Sequence, residues 1–357
     1  MQKLHFFTKM PIFAAVFMTR QEFIYNKGFD FEAGGHIDSL KTVYHCSDKL
    51  WNKGDSRKVI WICHALTANS DPTQWWPDMV GLGKFLDPER YFIICANILT
   101  SAYGSSSPAS PAPGSGQPYF LSFPPTTVRD MVRAMDLLRK HLGIESIDLL
   151  IGASIGGFQA LEWSVMCPEV IKSAAYIACG ARVSPWMTAF NESMRMALEA
   201  DPSFGRCESL HDGRKGLECA RSIALLSYRS YEGYTRSQKE ADPDCIWASR
   251  ACSYQRHQGE KLSARFDAYS YYYLCKAVDS HNLGRGRNGV EAALATIRAK
   301  SLVIGIDSDF IFPVEEQKYL AAHIPGASYR QISSLFGHDG FLLEYSQLTD
   351  ILKPYLP

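Results

Sequence analysis

Five short stretches of the chain are apolar almost from end to end: Lys58–Cys63, Tyr91–Asn97, Ile147–Ile151, Ser173–Cys179 and Ser301–Ile306. A strand with one wet face alternates apolar and polar residues, so an unbroken apolar run means that both faces are covered. Such strands belong in the middle of a parallel sheet. The segments between them carry helical spacing. Val128, Met131, Val132, Met135, Leu138 and Leu142 fall on one face, and Thr127 with Asp130 has the form of a capping pair at its start. A second helix is expected over Ile155–Met166, stopped by Pro168. Strand and helix in alternation give an α/β fold, a mostly parallel central sheet flanked by helices.

From 185 to 297 the rhythm changes. Helical patterns continue, as in Leu217, Ala220, Ile223, Ala224 and Tyr228, but no strand pattern appears until Ser301. This stretch is expected to be a helical lid inserted over the C-terminal edge of the sheet, where open α/β sheets bind ligands. The core is then 21–184 with 298–357, and 1–20 reads as a poorly ordered extension. Pro11–Phe17 is too short to span a bilayer, and no small-residue cleavage site follows it, so neither a membrane span nor a signal peptide is expected.

Composition narrows the class further. The chain has 37 basic against 37 acidic residues over 357 positions, which removes the basic footprint of a nucleic-acid binder. Its ten cysteines are scattered, with no C-x-x-C pair, and several sit inside apolar runs. They read as small buried hydrophobes rather than as disulfides or metal ligands, which fits a reducing, cytoplasmic setting.

Gly152-Ala153-Ser154-Ile155-Gly156 follows one apolar run and opens the next helix. That context suits a sharp strand-to-helix turn presenting the Ser154 hydroxyl as a nucleophile, with flanking glycines where a Cβ would collide. A serine hydroxyl needs a base. Of ten histidines, His338 in Gly337-His338-Asp339-Gly340 stands in the right order and in a loop after the strand-like Ser328–Ile332. His5 and His36 lie in polar segments, His141 at a helix end and His323 before a Pro-Gly turn. The orienting carboxylate is Asp307 or Asp309, which the residues alone leave level, while Asp339 adjoins His338 in sequence and cannot easily face it. Oxyanion donors are expected from the backbone N–H of Ile155 and from the loop His64-Ala65-Leu66-Thr67, with Leu66 favoured and the His64 side chain structural.

With these pieces placed, the chain resembles the homoserine O-acetyltransferases, acyltransferases of the α/β-hydrolase fold. The resemblance runs from about Phe23 to Leu352. It is carried by His64–Thr67, Tyr103-Gly104-Ser105, Thr127–Val132, Gln159–Trp163, Asn191-Glu192 with Arg195, Gln258–Lys261, Arg265-Phe266-Asp267, Gly284-Arg285-Gly286, Gly305–Asp309 and Gly337–Asp339. It implies Ser154 as nucleophile, His338 as base and Asp309 as the acid, leaving Asp307 structural. It further implies that Arg195 holds the carboxylate of an amino-acid substrate and Asp339 faces its amino group. Arg suits the first task because its fork pairs with a carboxylate through two bonds. Ala68 and Thr100 depart from the family, which usually has glycine there.

The implied reaction is ping-pong transfer of acetyl from acetyl-CoA to the side-chain hydroxyl of L-homoserine, a step of methionine biosynthesis. Its partners are small molecules, acetyl-CoA being a co-substrate and no cofactor permanently bound, and the family pattern implies a homodimer joined through the lid. Alternatives are transfer to serine, a succinyl-CoA donor, a carboxylesterase, or a non-catalytic binding protein on the same scaffold. The complete set of three triad candidates argues against the last. The run Tyr269–Tyr273 is read as core rather than tunnel lining.

Overall fold

Alternate residues of a strand point to opposite faces, so each apolar run feeds two cores at once. In the computed structural model, which describes residues 18–47, 51–52 and 54–357, that is how the centre is built. Trp61, Phe92, Ile94, Leu150, Tyr176 and Val303 pack on one face of the sheet. Ile60, Ile62, Ile93, Leu149, Ile151, Leu302 and Ile304 pack on the other.

The eight strands of the main sheet are β1 (Met18–Tyr25), β2 (Leu40–Ser47), β3 (Lys58–Cys63), β4 (Tyr91–Ala96), β5 (Leu149–Ala153), β6 (Ser173–Ile177), β7 (Lys300–Ile306) and β8 (Ser328–Ile332). They lie in the order β1-β2-β4-β3-β5-β6-β7-β8. All neighbours from β4 to β8 are parallel, and β2 runs antiparallel to both β1 and β4. The strand expected at Ile147–Ile151 lies two residues later, Ile147 itself making an isolated bridge to Ile171. Neither β1 nor β2 was expected from the sequence.

The N-terminal boundary needs correction. Met18, Thr19 and Arg20 belong to β1, paired with Ser47, Cys46 and His45, so the sheet begins inside the stretch read as an extension. The rest of that expectation, 1–17, lies outside the described residues.

Two helices pack beside the central strands. In α1 (Val128–His141) the Thr127 hydroxyl accepts from the Asp130 N–H while the Asp130 carboxylate accepts from the Thr127 N–H, a reciprocal cap. Helix α2 (Ile155–Met166) is buried on nearly every side. Between β6 and β7 stand α3 (Pro185–Glu199), α4 (Arg214–Tyr228), α5 (Tyr231–Gln238), α6 (Arg250–Ser263) and α7 (Ala268–Asp279). Tyr269, Tyr271 and Tyr273 are buried. No described helix is long and apolar enough to cross a membrane.

Candidate active site

Between β5 and α2 the backbone turns at Ser154 with φ 57° and ψ −127°, a conformation that costs a side-chain-bearing residue about 1–3 kcal/mol. The surroundings hold it there. A Cβ on Gly152 would lie 2.0 Å from the Gly156 carbonyl oxygen, and one on Gly156 would lie 2.1 Å from that of Cys63. Helix α2 therefore presses onto both the turn and the end of β3, and only glycine fits at either contact.

The Ser154 hydroxyl donates to His338 Nε2 at 2.8 Å, and His338 Nδ1–H donates to Asp309 Oδ2 at 2.6 Å. The other Asp309 oxygen, Oδ1, accepts the N–H groups of Ile311 and Phe312 at 2.9 and 3.1 Å. This fixes the carboxylate so that Oδ2 faces the imidazole and selects the tautomer whose Nε2 is free to take a proton. The imidazole is buried among Phe312, Phe341 and Tyr228. Burial alone would lower its pKa, but the Asp309 carboxylate, with Asp339 adding, outweighs this and raises it above the ordinary imidazole value.

The loops bearing the two residues are stitched together. Asp307 Oδ1 accepts the Ser334 N–H at 3.0 Å, and the Ser308 hydroxyl bonds the Ser334 carbonyl and the Gly337 N–H. Asp309 is thus the acid brought to His338, and Asp307 fastens the loop.

Leu66 and Ile155 flank Ser154 in a narrow cavity completed by Phe158, Met187, Tyr228, Val278, Ile311, Phe312 and His338. Ile155 opens α2, so its N–H has no partner within the helix. The His64 ring is fully buried: Nδ1–H donates to the Ala65 carbonyl and Nε2 accepts the Ile98 N–H. Burial pushes its pKa down to about 4, so the ring is a neutral staple for the loop that bears Leu66.

Residues 58–345 match the family described as alpha/beta hydrolase fold. A homoserine O-acetyltransferase from Cyclobacterium marinum is 44% identical, the match covering 95% of each chain. The chain belongs to the homoserine O-acetyltransferase family. Among solved structures, the homoserine O-acetyltransferase of Staphylococcus aureus matches with a TM-score of 0.78 at 28% identity, over 95% of both chains. An acetylester hydrolase of Corynebacterium glutamicum matches with a TM-score of 0.80 at 26% identity, over 94% of this chain and 96% of that one.

Within this family member, Arg195 is not where the sequence reading put it. Its guanidinium is already engaged, NH1 with Asp279 at 2.6 Å and Nε with Glu192 at 2.9 Å. It staples α3 to α7, and it is Met187, two turns earlier on α3, that reaches the cavity. Arg195 is therefore corrected from substrate contact to helix staple. Arg221 on α4 lies behind the cavity-lining Tyr228, its guanidinium carbon 5.6 Å from that ring's centroid. Burial raises Tyr228 to about 12, with the Arg221 charge pulling the other way. The sequence reading passed over Arg221, which stands two turns before Tyr228 beside the apolar stripe of α4. Asp339 follows His338 and pairs with Arg229 at 3.3 Å, its charge felt by both Tyr228 and His338.

The two family departures differ in kind. Thr100 sits at φ 84°, which glycine adopts without strain. Its hydroxyl compensates in part by donating to Thr126 at 2.6 Å. Ala68 closes a turn, its N–H bonding the Ala65 carbonyl at 3.0 Å.

Proposed function

We propose that this enzyme moves an acetyl group from acetyl-CoA to the side-chain hydroxyl of L-homoserine through an acetyl-Ser154 intermediate. The observation that carries the reading is the unbroken hydrogen-bond chain from Ser154 through His338 to Asp309, mounted on a strained turn. His338 takes the Ser154 proton as Oγ bonds to the thioester carbon. The tetrahedral oxyanion rests on the N–H groups of Leu66 and Ile155. The C–S bond breaks, and the CoA sulfur leaves with the proton from His338. Homoserine then enters, His338 takes its hydroxyl proton, and the new ester forms as Ser154 recovers a proton.

The cavity argues for acetyl rather than succinyl. Its wall of Leu66, Phe158, Met187, Val278, Ile311 and Phe312 is apolar, and with Arg221 assigned to the acceptor a succinyl carboxylate would lie against that wall unpaired. For the acceptor, Arg221 is assigned the carboxylate and Asp339 the ammonium, which favours an amino acid over a plain ester. Likeness to an acetylester hydrolase keeps hydrolysis as the competing outcome, since water reaching the acetyl-enzyme yields acetate. Exposed Leu226, Tyr231, Ile246 and Trp247 on the lid favour two chains pairing there, which size-exclusion chromatography with light scattering tests.

The deciding assay is CoA release with and without homoserine, with products separated as acetate or O-acetylhomoserine. The reading expects one CoA per enzyme to be released without homoserine and all further release to depend on it. Equal release into water alone would make the protein an esterase.

A further inference from the structure

Among the contacts of the lid with the catalytic core is one beside the oxyanion loop that the reaction above does not use. Arg265, in the joint between α6 and α7, donates from NH1 to the Thr67 carbonyl at 2.7 Å. The same NH1 donates to the Tyr103 hydroxyl, and that hydroxyl in turn donates to Thr67 O at 3.4 Å. The guanidinium also lies 6.0 Å from the Tyr103 ring centroid. Two donors from different parts of the chain thus converge on one carbonyl.

That carbonyl belongs to the turn bearing Leu66. The Ala68 N–H closes the turn onto the Ala65 carbonyl at 3.0 Å, with Leu66 and Thr67 as its central residues. On the sheet side the His64 ring holds it, through the Ala65 carbonyl and the Ile98 N–H. On the lid side only Arg265 and Tyr103 are bonded to it among the described residues. Behind them Phe266, buried, meets Tyr103 edge-on at 5.5 Å and Tyr271 at 6.3 Å. The joint is therefore anchored in the aromatic core of the lid rather than swinging in solvent.

We infer that Arg265 and Tyr103 are positioning residues for the oxyanion site, a clasp by which the lid sets the direction of the Leu66 N–H. The inference rests on the proposed role of Leu66 as an oxyanion donor. A hydrogen bond weakens steeply with misalignment, so a turn free on one side offers a poorer donor to the tetrahedral intermediate while still admitting substrate. Both half-reactions pass through such an intermediate at the same site. Loosening the clasp therefore slows acetylation and deacetylation of Ser154 together. Deleting an oxyanion donor outright costs about a hundred- to a thousandfold, and displacing one costs less, roughly ten- to a hundredfold.

The experiment compares wild type with Arg265→Ala, Arg265→Lys and Tyr103→Phe. Single-turnover acetylation and deacetylation rates are measured beside KM for both substrates. The affinity of a trifluoromethyl ketone thioether of coenzyme A, whose adduct with Ser154 bears the oxyanion, is compared with that of its methyl ketone counterpart. The clasp predicts that Arg265→Ala loses ten- to a hundredfold in both rates and in trifluoromethyl ketone affinity. KM and methyl ketone affinity stay within about threefold, the acid limb of the pH profile does not move, and Arg265→Lys recovers part of the loss. Wild-type rates in Arg265→Ala would overturn the inference, as would lost rates with undiminished trifluoromethyl ketone affinity, or a rise in KM alone. Should Arg265→Ala fail to fold, Tyr103→Phe and Arg265→Lys, which retain the ring and the charge, decide by the same comparison. Failure of the underlying mechanism looks different, because wild type itself would then form neither acetyl-Ser154 nor the ketone adduct.

Discussion

Replacing Asp309 with asparagine changes one atom and reverses a hydrogen bond. Asp309 Oδ1 accepts two backbone N–H groups, from Ile311 and Phe312. In Asp309→Asn those two donors keep the amide oxygen where Oδ1 now is, because an NH2 there would oppose both. The amide nitrogen is then forced to the Oδ2 position, facing His338 Nδ1 at what is now 2.6 Å. Being a donor, it requires Nδ1 to accept, which moves the ring proton to Nε2. Nε2 then meets the Ser154 hydroxyl with a proton already on it and cannot act as base. In serine proteases the corresponding tautomer error lowers kcat about 10⁴-fold, equivalent to about 5.5 kcal/mol of barrier.

The assay is single-turnover acetylation across pH. Wild type loses activity as pH falls through the His338 pKa, which Asp309 holds above the ordinary imidazole value. In Asp309→Asn the residual activity has its acid limb at lower pH, since the raising charge is gone. Stability follows with a definite sign. A folded-state pKa above the unfolded one stabilises fully below the unfolded value, and that contribution is lost as pH rises through the folded one. The stability gap between wild type and Asp309→Asn is therefore wider near pH 5.5 than near pH 9. A loss of less than about tenfold, or an acid limb that stays in place, would refute this account of the Asp309 carboxylate.

Other expectations follow from the same geometry. Arg221→Ala raises KM for homoserine by about thirtyfold or more, the cost of leaving a buried carboxylate unpaired, whereas Arg195→Ala leaves that KM within about threefold and lowers the melting temperature. Gly156→Ala destabilises by about 2–4 kcal/mol in urea unfolding, since the new Cβ meets a main-chain oxygen that cannot step aside. Succinyl-CoA gives a kcat/KM at least about a hundredfold below that of acetyl-CoA, and comparable values would contradict the apolar pocket.

The central strands were legible because their burial is two-sided and writes itself as unbroken apolar sequence. The edge was not. Strand β1 carries Arg20, Gln21 and Glu22 with one side in water, and β2 carries Lys41, Thr42 and His45. Ser47 is fully buried at the end of β2, but the bonds that permit it, to the Tyr91 carbonyl and the Ile93 N–H, exist only once β4 is alongside. The site divides similarly. Ser154 and His338 stand 184 residues apart, yet each sits in a local context that marks it, a glycine-flanked turn and a loop after a strand. The choice between Asp307 and Asp309 depends on which loop nitrogens hold which carboxylate, and local sequence is silent there. Arg195 and Arg221 occupy similar lid helices, and only the carboxylates of Asp279 and Glu192 show that the first is already engaged.

The central claim is a covalent one, and mass spectrometry reads it directly. Wild type mixed with acetyl-CoA in the absence of homoserine should gain one acetyl group on the peptide bearing Ser154. Added homoserine should remove it at a rate no slower than turnover. An equal gain in Ser154→Ala, or turnover faster than the acetyl group appears, would contradict the mechanism.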